Sequence, residues 1–404
     1  MLITSSRLMP LLSASAIYIG CSLLLQTAYS GSARLADQTI SSSLPELLAA
    51  GPGKTLELER YLEQRWGFPN GTQTEDWPAI TKYFAKSPNP LVSDAIVSGY
   101  VKQLMAFEVQ QIMTQGNVVI PEKLSVNNVK RLSNMSNQVL LQAKLQQIPK
   151  SSPSDMVAFG ASKATTDITR LQKSPETYGE DTMGLDLSQG KFFAVADGVG
   201  GAENSQVTSR VAVKAIESFL ALNNISKQKL PVIPKLLQAL TYATHTLLIR
   251  LQHRGSTTLT YGIVTPKKEL FVTHVGDCQV LVIRNDDFVF ATREQWLQPN
   301  MPNQMNSAFR LDPASVDIYS FQLQKGDIII ATSDGVADNV FPADVLEVYK
   351  RTKDDISKLA HDLVELAVRS GSGEFGMQIP FNAKLGTGFP GKRDDSTVIV
   401  VRVQ

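Results

Sequence analysis

Cysteine and histidine are scarce in this chain of 404 residues. The cysteines are Cys21 and Cys278, and the histidines are His245, His253, His274 and His361. Two cysteines so far apart give no basis for a disulfide framework or a cysteine-built zinc site. The scattered histidines predict packing or surface positions, and Cys278, beside an apolar run, predicts a buried structural thiol. The chemistry of the protein must therefore depend on other side chains.

The chain also lacks an excess of either charge, since 39 Lys and Arg residues stand against 38 Asp and Glu residues. A protein that neutralises many phosphates of a nucleic acid normally has a clear basic excess, so nucleic acid is not an expected partner. With 43% apolar and 19% charged residues the composition is that of a globular protein. It excludes a disordered chain, a collagen-like repeat and a polytopic membrane protein.

Acidic residues are absent from residues 1–36, and no charge of either sign occurs over Leu8–Ala33. Three interpretations of this leader stay open. Leu8–Leu25 is just long enough for a membrane anchor, although serine, glycine and proline dilute it. Ala28-Tyr29-Ser30 could be the cleavage site of a secretory signal, and the serine-rich, acid-free composition also fits an organelle presequence.

The segment after the leader, up to about residue 150, is predicted to be helical. A buried helix face is indicated by Leu104, Phe107, Val109 and Ile112, and a further helix by Val139–Leu145. Because no catalytic motif occurs in this segment, we expect residues 37–150 to form a helical accessory or packing region. The Pro- and Ser-rich run Pro149–Ser154 is the best candidate for a domain boundary.

Beyond that boundary the pattern changes to short apolar runs that alternate with helical stretches. Strands are predicted at Lys191–Ala196, Thr257–Val264, Leu270–His274, Val280–Arg284, Asp327–Thr332 and Thr397–Val403. Helices are predicted at Ser205–Leu222, Pro234–Leu251, Pro342–Lys350 and Asp354–Arg369. Strands in series with helices in blocks indicate an α/β or α+β sandwich with largely antiparallel sheets.

Acidic residues form five clusters in this part of the chain, and four of the five directly follow or precede an apolar strand. The residues are Glu180, Asp181, Asp197, Asp277, Asp334, Asp338, Asp394 and Asp395. A single Asp-Gly pair after a strand is most often only a tight turn. Converging strand ends would instead gather carboxylates that cannot all stay ionised without cations. Oxygen ligands suit Mg²⁺ or Mn²⁺, and two such ions can activate water and clamp a phosphoryl group.

The order, spacing and flanks of these motifs resemble the metal-dependent Ser/Thr protein phosphatases of the protein phosphatase 2C family. The sequence is most similar to the mitochondrial branch linked to coenzyme Q biosynthesis. The motifs that carry the resemblance are Gly179-Glu180-Asp181, Val195–Gly201, Leu323–Ile330 and Gly391–Val398. The resemblance covers about Met156 to Val403.

This resemblance implies a site for two Mn²⁺ or Mg²⁺ ions. Asp197 would bridge the ions, Asp334 and Asp394 would hold the first, and Glu180 with the carbonyl of Gly198 the second. Asp181 would orient water at the metals, and the nucleophile would be a hydroxide that bridges them. Asp277, Asp334 and Asp338 match positions that hold a weaker third ion in some members of the family.

The implied fold is α+β, a four-layer sandwich of two antiparallel β-sheets flanked by helices, with residues 151–404 as the catalytic domain. The implied activity is hydrolysis of phosphoserine and phosphothreonine in phosphoprotein substrates. A pseudophosphatase that binds phosphoproteins without turnover is the alternative. An aspartyl-phosphate mechanism is disfavoured, because neither Asp197 nor Asp334 has a second Asp two residues on.

The sequence departs from the family at three positions. Val199 stands where many relatives have a histidine, and Ala202 where the branch commonly has a tryptophan. Many relatives also have an arginine just before the acidic pair to grip the phosphate. Here Glu176 stands four residues ahead of Glu180, so Arg170 and Lys173 are the nearest candidates for that role.

An intracellular phosphatase domain makes secretion a poor interpretation of the leader. We therefore expect residues 1–36 to be a cleaved mitochondrial targeting segment. Membrane anchoring or contact through residues 8–25 is the alternative.

Overall fold

The computed structural model describes residues 42–66, 75–86, 88–114, 156–163, 179–187, 192–252, 254–308, 311–312, 315–353 and 355–404. The leader, the predicted helix Val139–Leu145 and the predicted boundary Pro149–Ser154 lie outside these ranges and stay predictions. None of the helices described in these ranges is long and apolar enough to span a membrane.

The helices are α1 (Leu44–Ala50), α2 (Thr55–Arg65), α3 (Trp77–Phe84), α4 (Pro90–Tyr100), α5 (Ala106–Thr114), α6 (Ser205–Asn223), α7 (Ile233–Leu251), α8 (Asp334–Ala337), α9 (Pro342–Thr352), α10 (Ile356–Gly371) and α11 (Pro380–Leu385). Short 3₁₀ turns lie at Gly51–Lys54 and Ile225–Lys227, and a π-helical turn, Val101–Met105, joins α4 to α5.

The strands are β1 (Met156–Lys163), β2 (Thr182–Asp186), β3 (Phe192–Ala196), β4 (Ser256–Thr257), β5 (Leu259–Val264), β6 (Glu269–Val275), β7 (Gln279–Arg284), β8 (Asp287–Ala291), β9 (Trp296–Gln298), β10 (Met301–Pro302), β11 (Met305–Asn306), β12 (Asp317–Gln322), β13 (Ile328–Thr332) and β14 (Ser396–Val403).

Ten of these strands form two five-stranded antiparallel sheets. Sheet A has the order β1-β14-β13-β7-β8, and sheet B has the order β12-β6-β5-β3-β2. The short strands β9 and β10 pair with each other, as do β4 and β11. Each predicted strand lies within or overlaps an observed one, whereas β1, β2 and β8–β12 were not predicted.

Successive residues of a strand point to opposite faces, and this alternation divides the apolar side chains between layers. In β3, Phe193 and Val195 enter the core between the sheets, while Phe192 and Ala194 face the helices. Helices α6 and α7 cover sheet B, and α9 and α10 cover sheet A. The predicted α+β four-layer sandwich is confirmed.

The amino-terminal helices add a further layer. Residues 42–404 form one compact unit, and a single apolar cluster runs from Leu47 of α1 through Ile96 of α4 to Leu240 of α7. The prediction of a buried helix face in this region is partly wrong. Leu104 and Val109 are buried, but Phe107 is 42% exposed.

Candidate active site

Three of the predicted carboxylates come together where strands of the two sheets end. Asp197 follows β3, Asp277 lies in the connection from β6 to β7, and Asp334 follows β13 as the first residue of α8. One carboxylate oxygen from each of these residues lies within 4.8 Å of the other two. The connection from β6 to β7 crosses from sheet B to sheet A, which is why residues of both sheets meet here.

Asp277 and Asp334 are buried in this site. Asp277 is 5% exposed and Asp334 is 8% exposed. Among the described residues, the Oδ1 atoms of Asp277 and Asp334 have no hydrogen-bond partner. Desolvation, followed by the nearby Asp334 carboxylate, raises the pKa of both Asp197 and Asp277 well above the usual range. Buried oxygens without partners and crowded negative charge are features of a cation site.

Glu180 and Asp181 precede β2, which pairs in sheet B with β3, the strand that Asp197 follows. The backbone N–H of Glu180 donates to Oδ2 of Asp395 at 2.6 Å. A Cβ atom on Gly179, whose φ is +76°, would lie 2.1 Å from that same oxygen, so only glycine permits the contact. Burial, and then the charge of Asp395, raise the pKa of Asp181 well above the usual range.

Gly198 allows the loop after β3 to pass close to other backbone. Its N–H donates to the carbonyl of Glu180 at 3.1 Å. A Cβ atom at this position would lie 2.7 Å from the backbone of Ser205 and 2.8 Å from the Glu180 carbonyl oxygen. The Ser209 hydroxyl, one turn into α6, donates to that same oxygen at 2.6 Å. Helix α6 therefore holds the backbone from which Glu180 and Gly198 project.

Two lysines, which sequence reasoning missed, complete the cluster on the side of α8. The ammonium group of Lys392 contacts carboxylate oxygens of Asp334, Asp338 and Asp394. The ammonium group of Lys384, on α11, lies 3.0 Å from Asp338 and 2.5 Å from Glu294. Lys392 stands inside the recognised run Gly391–Val398, but nothing in that run indicates where its side chain goes.

Of the residues predicted for the site, Glu180, Asp181, Asp197, Gly198, Asp277, Asp334, Asp338 and Asp394 lie among the described residues, whereas Arg170 and Lys173 do not. Asp395, for which no role was predicted, is 2% exposed and accepts the backbone N–H of Glu180.

The prediction of a buried thiol at Cys278 is confirmed. Cys278 is fully buried beside the Thr258 hydroxyl, at 3.2 Å. Burial, and then the charge of Asp277, raise its pKa well above the usual range. A thiol in these surroundings is a poor nucleophile, which excludes it from the chemistry of the site.

The donor set fits hard divalent cations. Carboxylate and backbone oxygens are the ligands that Mg²⁺ and Mn²⁺ prefer. The partnerless oxygens of Asp277 and Asp334 supply ligand atoms that nothing in the described chain occupies. Neutralisation by cations also removes the repulsion that raises the pKa of these carboxylates.

Comparison with known proteins gives the family from sequence. The family model described as Protein phosphatase 2C matches residues 176–365. The chain is 31% identical over 245 residues to protein phosphatase 2C homolog 7, mitochondrial, of Saccharomyces cerevisiae, covering 52% of this chain and 70% of that protein. It is 30% identical over 245 residues to the probable protein phosphatase 2C 26 of Arabidopsis thaliana, covering 56% of this chain and 79% of that protein.

Among solved structures, the X-ray structure of the photosystem II phosphatase PBCP has a TM-score of 0.53 with this chain, at 24% identity. The match covers 62% of this chain and 99% of that one. At this level of identity the likeness concerns the fold, and it agrees with the two helix-flanked sheets. The two relatives are matched over more than two thirds of their own lengths. This chain therefore belongs to the protein phosphatase 2C family, the metal-dependent serine/threonine phosphatases that its motifs resemble.

Proposed function

We propose that this protein removes phosphate from phosphoserine and phosphothreonine of protein substrates at the carboxylate cluster around Asp197. The observation that carries the proposal is the convergence of Asp197, Asp277 and Asp334 within 4.8 Å, with buried oxygens that lack partners in the described chain. An acidic site of this kind repels a phosphate ester unless cations are bound, so the proposed activity depends on metal.

The proposed cofactor is a pair of Mn²⁺ or Mg²⁺ ions. Asp197, Asp334 and Asp394, with Glu180 and the carbonyl of Gly198, would hold them. When bound, the ions would neutralise these carboxylates, activate the attacking water and polarise the phosphoryl group.

The side chains around these ligands have supporting roles in the proposal. Asp181 is buried near the charge of Asp395, and it would orient the attacking water toward phosphorus. Asp395 accepts the N–H of Glu180 and so fixes the backbone that carries both acidic residues. Val199, where many relatives have a histidine, offers no proton to the leaving serine oxygen. Arg170 and Lys173 stay predictions for the phosphate-gripping cation.

The decisive test is hydrolysis of p-nitrophenyl phosphate and of a phosphothreonine peptide, with and without Mn²⁺. We expect Asp197→Asn and Asp334→Asn to remove turnover and excess chelator to abolish it in the unaltered chain. The control is Asp287→Asn, which neutralises an exposed carboxylate at the start of β8. Full activity in excess chelator would contradict the proposal, and Mn²⁺ binding without turnover on any phosphopeptide would favour a pseudophosphatase.

We further propose that residues 1–36 direct the protein to the mitochondrion and are then removed. The supports are the acid-free composition of this leader and the printed name of the yeast relative, which is mitochondrial. Imaging of residues 1–40 fused to a fluorescent protein tests this, and a reticular endomembrane signal would overturn it.

A further inference from the structure

Asp338 occupies an unusual position beside the proposed metal ligands, because each of its carboxylate oxygens is taken by a lysine. Oδ1 lies 3.0 Å from the Lys384 ammonium, and Oδ2 lies 2.7 Å from the Lys392 ammonium. The side chain of Asp338 is 3% exposed, so water does not compete for these oxygens.

Lys392 is held in place by its own backbone as well as by its charge. The side-chain amide of Asn339 donates to the Lys392 carbonyl at 2.7 Å, and the Lys392 N–H donates back to the Asn339 amide oxygen at 3.2 Å. Its ammonium group also lies 5.4 Å from the centre of the Phe381 ring. This lysine is therefore built into the site and is not a surface side chain that happens to lie nearby.

Lys384 is anchored on the opposite side of Asp338. It projects from α11, and Glu294 holds its ammonium group at 2.5 Å. Together the two ammonium groups carry the formal charge of one divalent ion, and they face the carboxylate that such an ion would need.

We propose that Lys384 and Lys392 take the place of a third divalent ion at Asp338, so that this chain operates with two ions. The inference rests on the proposed function, since it concerns the same site. Lys392 also contacts Asp334 and Asp394, so the proposal requires that it stay on Asp338 when divalent ions occupy those two carboxylates. If lysines fill the third cationic position, only two ions must bind. Activity then depends on two metal-binding steps instead of three.

The test is the number of Mn²⁺ ions bound by the full chain, measured by isothermal titration calorimetry and by loss of the electron paramagnetic resonance signal of free Mn²⁺. The unaltered chain should bind two ions up to millimolar Mn²⁺, and Asp338→Asn should still bind two. The double variant Lys384→Gln/Lys392→Gln should bind three, and adding Asp338→Asn to it should return the number to two.

Two matched variants separate charge from position. Lys392→Arg keeps the cation and should bind two ions. Arg393→Gln removes the neighbouring positive charge, which makes no ion pair among those described with these carboxylates, and should also bind two. Thermal melting in Mn²⁺ shows whether each variant is folded. The number of Mn²⁺ ions bound by the unaltered chain tests the proposal without any variant.

Three ions in the unaltered chain, or two in a folded double variant, would overturn the inference. Either result leaves the proposed function intact if metal-dependent turnover persists. If the unaltered chain binds no Mn²⁺ and hydrolyses no phosphopeptide, the proposed function itself fails. The two failures are thus distinguishable in one set of measurements.

Discussion

Gly198 is the residue on which the shape of the site depends most directly. The three atoms nearest to a Cβ at this position are backbone atoms of Ser205 and Glu180, 2.7–2.8 Å away, and these cannot rotate away. We expect Gly198→Ala to displace the loop that carries Asp197 and to lower kcat/KM about 100-fold, as a shift of about 1 Å in a catalytic group can do. Phosphopeptide kinetics at saturating Mn²⁺ measure the effect.

The control for this prediction is Gly53→Ala. A Cβ atom on Gly53 would meet no other atom within 4 Å, and the backbone there does not adopt a positive φ. The substitution should leave kcat/KM within about twofold of the unaltered value, since it is a surface change far from any special feature. Equal activities of the two variants would show that the close approach at Gly198 does not matter for catalysis.

His274 makes the stability of the fold sensitive to pH. It is fully buried, and Nδ1 lies 2.8 Å from the Thr260 hydroxyl. Burial lowers its pKa from 6.5 to about 4, although Asp317 opposes the shift. The unfolded chain therefore takes up the proton more readily, and the free energy of unfolding falls as pH drops from about 6.5 toward 4.

Between pH 7 and pH 5 this histidine should lower the free energy of unfolding by about 2 kcal/mol. His274→Gln has no such proton uptake, so its loss of stability over that interval should be smaller by about this amount. Urea unfolding of both proteins at the two pH values measures the difference. Parallel losses in the two proteins would show that His274 titrates normally in the fold.

At the residue scale, the carboxylates of the site could be predicted from the sequence, whereas their counter-charges could not. Asp197, Asp277 and Asp334 each follow or precede an apolar strand, and such ends can converge. Lys392 occupies an ordinary charged stretch of loop. The position of its side chain depends on Asn339, which is distant in the sequence, so no local pattern contains that information.

Among the elements, α6 has a direct connection to the site. Ser209 donates to the Glu180 carbonyl at 2.6 Å, and the hydroxyls of Ser209 and Thr182 are 3.0 Å apart. Ser209→Ala leaves a buried carbonyl with one bond fewer, so we expect the free energy of unfolding to fall by about 1–2 kcal/mol. The Mn²⁺ concentration needed for half-maximal activity should rise, because Glu180 is a proposed ligand.

Thr244→Val is the matched control for Ser209→Ala. Thr244 is a buried residue of α7 whose hydroxyl bonds the carbonyl of Leu240 in its own helix. Thr244→Val should lower the free energy of unfolding by as much as Ser209→Ala or less, and it should leave the Mn²⁺ requirement unchanged. If both variants shift the Mn²⁺ requirement equally, the effect is one of general stability and α6 has no special role.

The longer elements could be predicted because apolar spacing alone defines them. Helix α6 was expected at Ser205–Leu222 and ends one residue later. The exposed position of Phe107 has a different cause. The π-helical turn Val101–Met105 changes the residue spacing just before α5, so a face projected with uniform helical spacing is rotated beyond it. No feature of the sequence marks that turn.

At the scale of the whole molecule, the amino-terminal helices and the sandwich share one core. Trp77 of α3 stacks against Trp66 with ring centres 5.6 Å apart, and the guanidinium group of Arg250, on α7, lies over the Trp77 ring at 5.4 Å. Arg250 also pairs with Glu108 of α5 at 2.8 Å. An apolar core with charged contacts at its edge is typical of a permanent interface, here the one between the amino-terminal helices and the sandwich.

This shared core predicts that the helices over residues 42–114 unfold together with the sandwich. Ile96 of α4 is fully buried in the shared cluster. Ile96→Ala should lower the free energy of unfolding by about 3 kcal/mol, since it removes buried methyl groups and leaves a cavity. Leu91→Ala, on the same helix but 59% exposed, should change it by less than about 0.5 kcal/mol.

Tryptophan fluorescence can report on the amino-terminal helices alone. Trp66 and Trp77 lie there, and Trp296→Phe removes the remaining tryptophan. In that background, urea unfolding followed by fluorescence should coincide with the loss of phosphatase activity, and Ile96→Ala should move both transitions equally. If it moves only the fluorescence transition, the helices are an independent module. Coincident transitions would instead make these helices a structural part of the phosphatase, because a cavity in one layer would weaken the others through the same core.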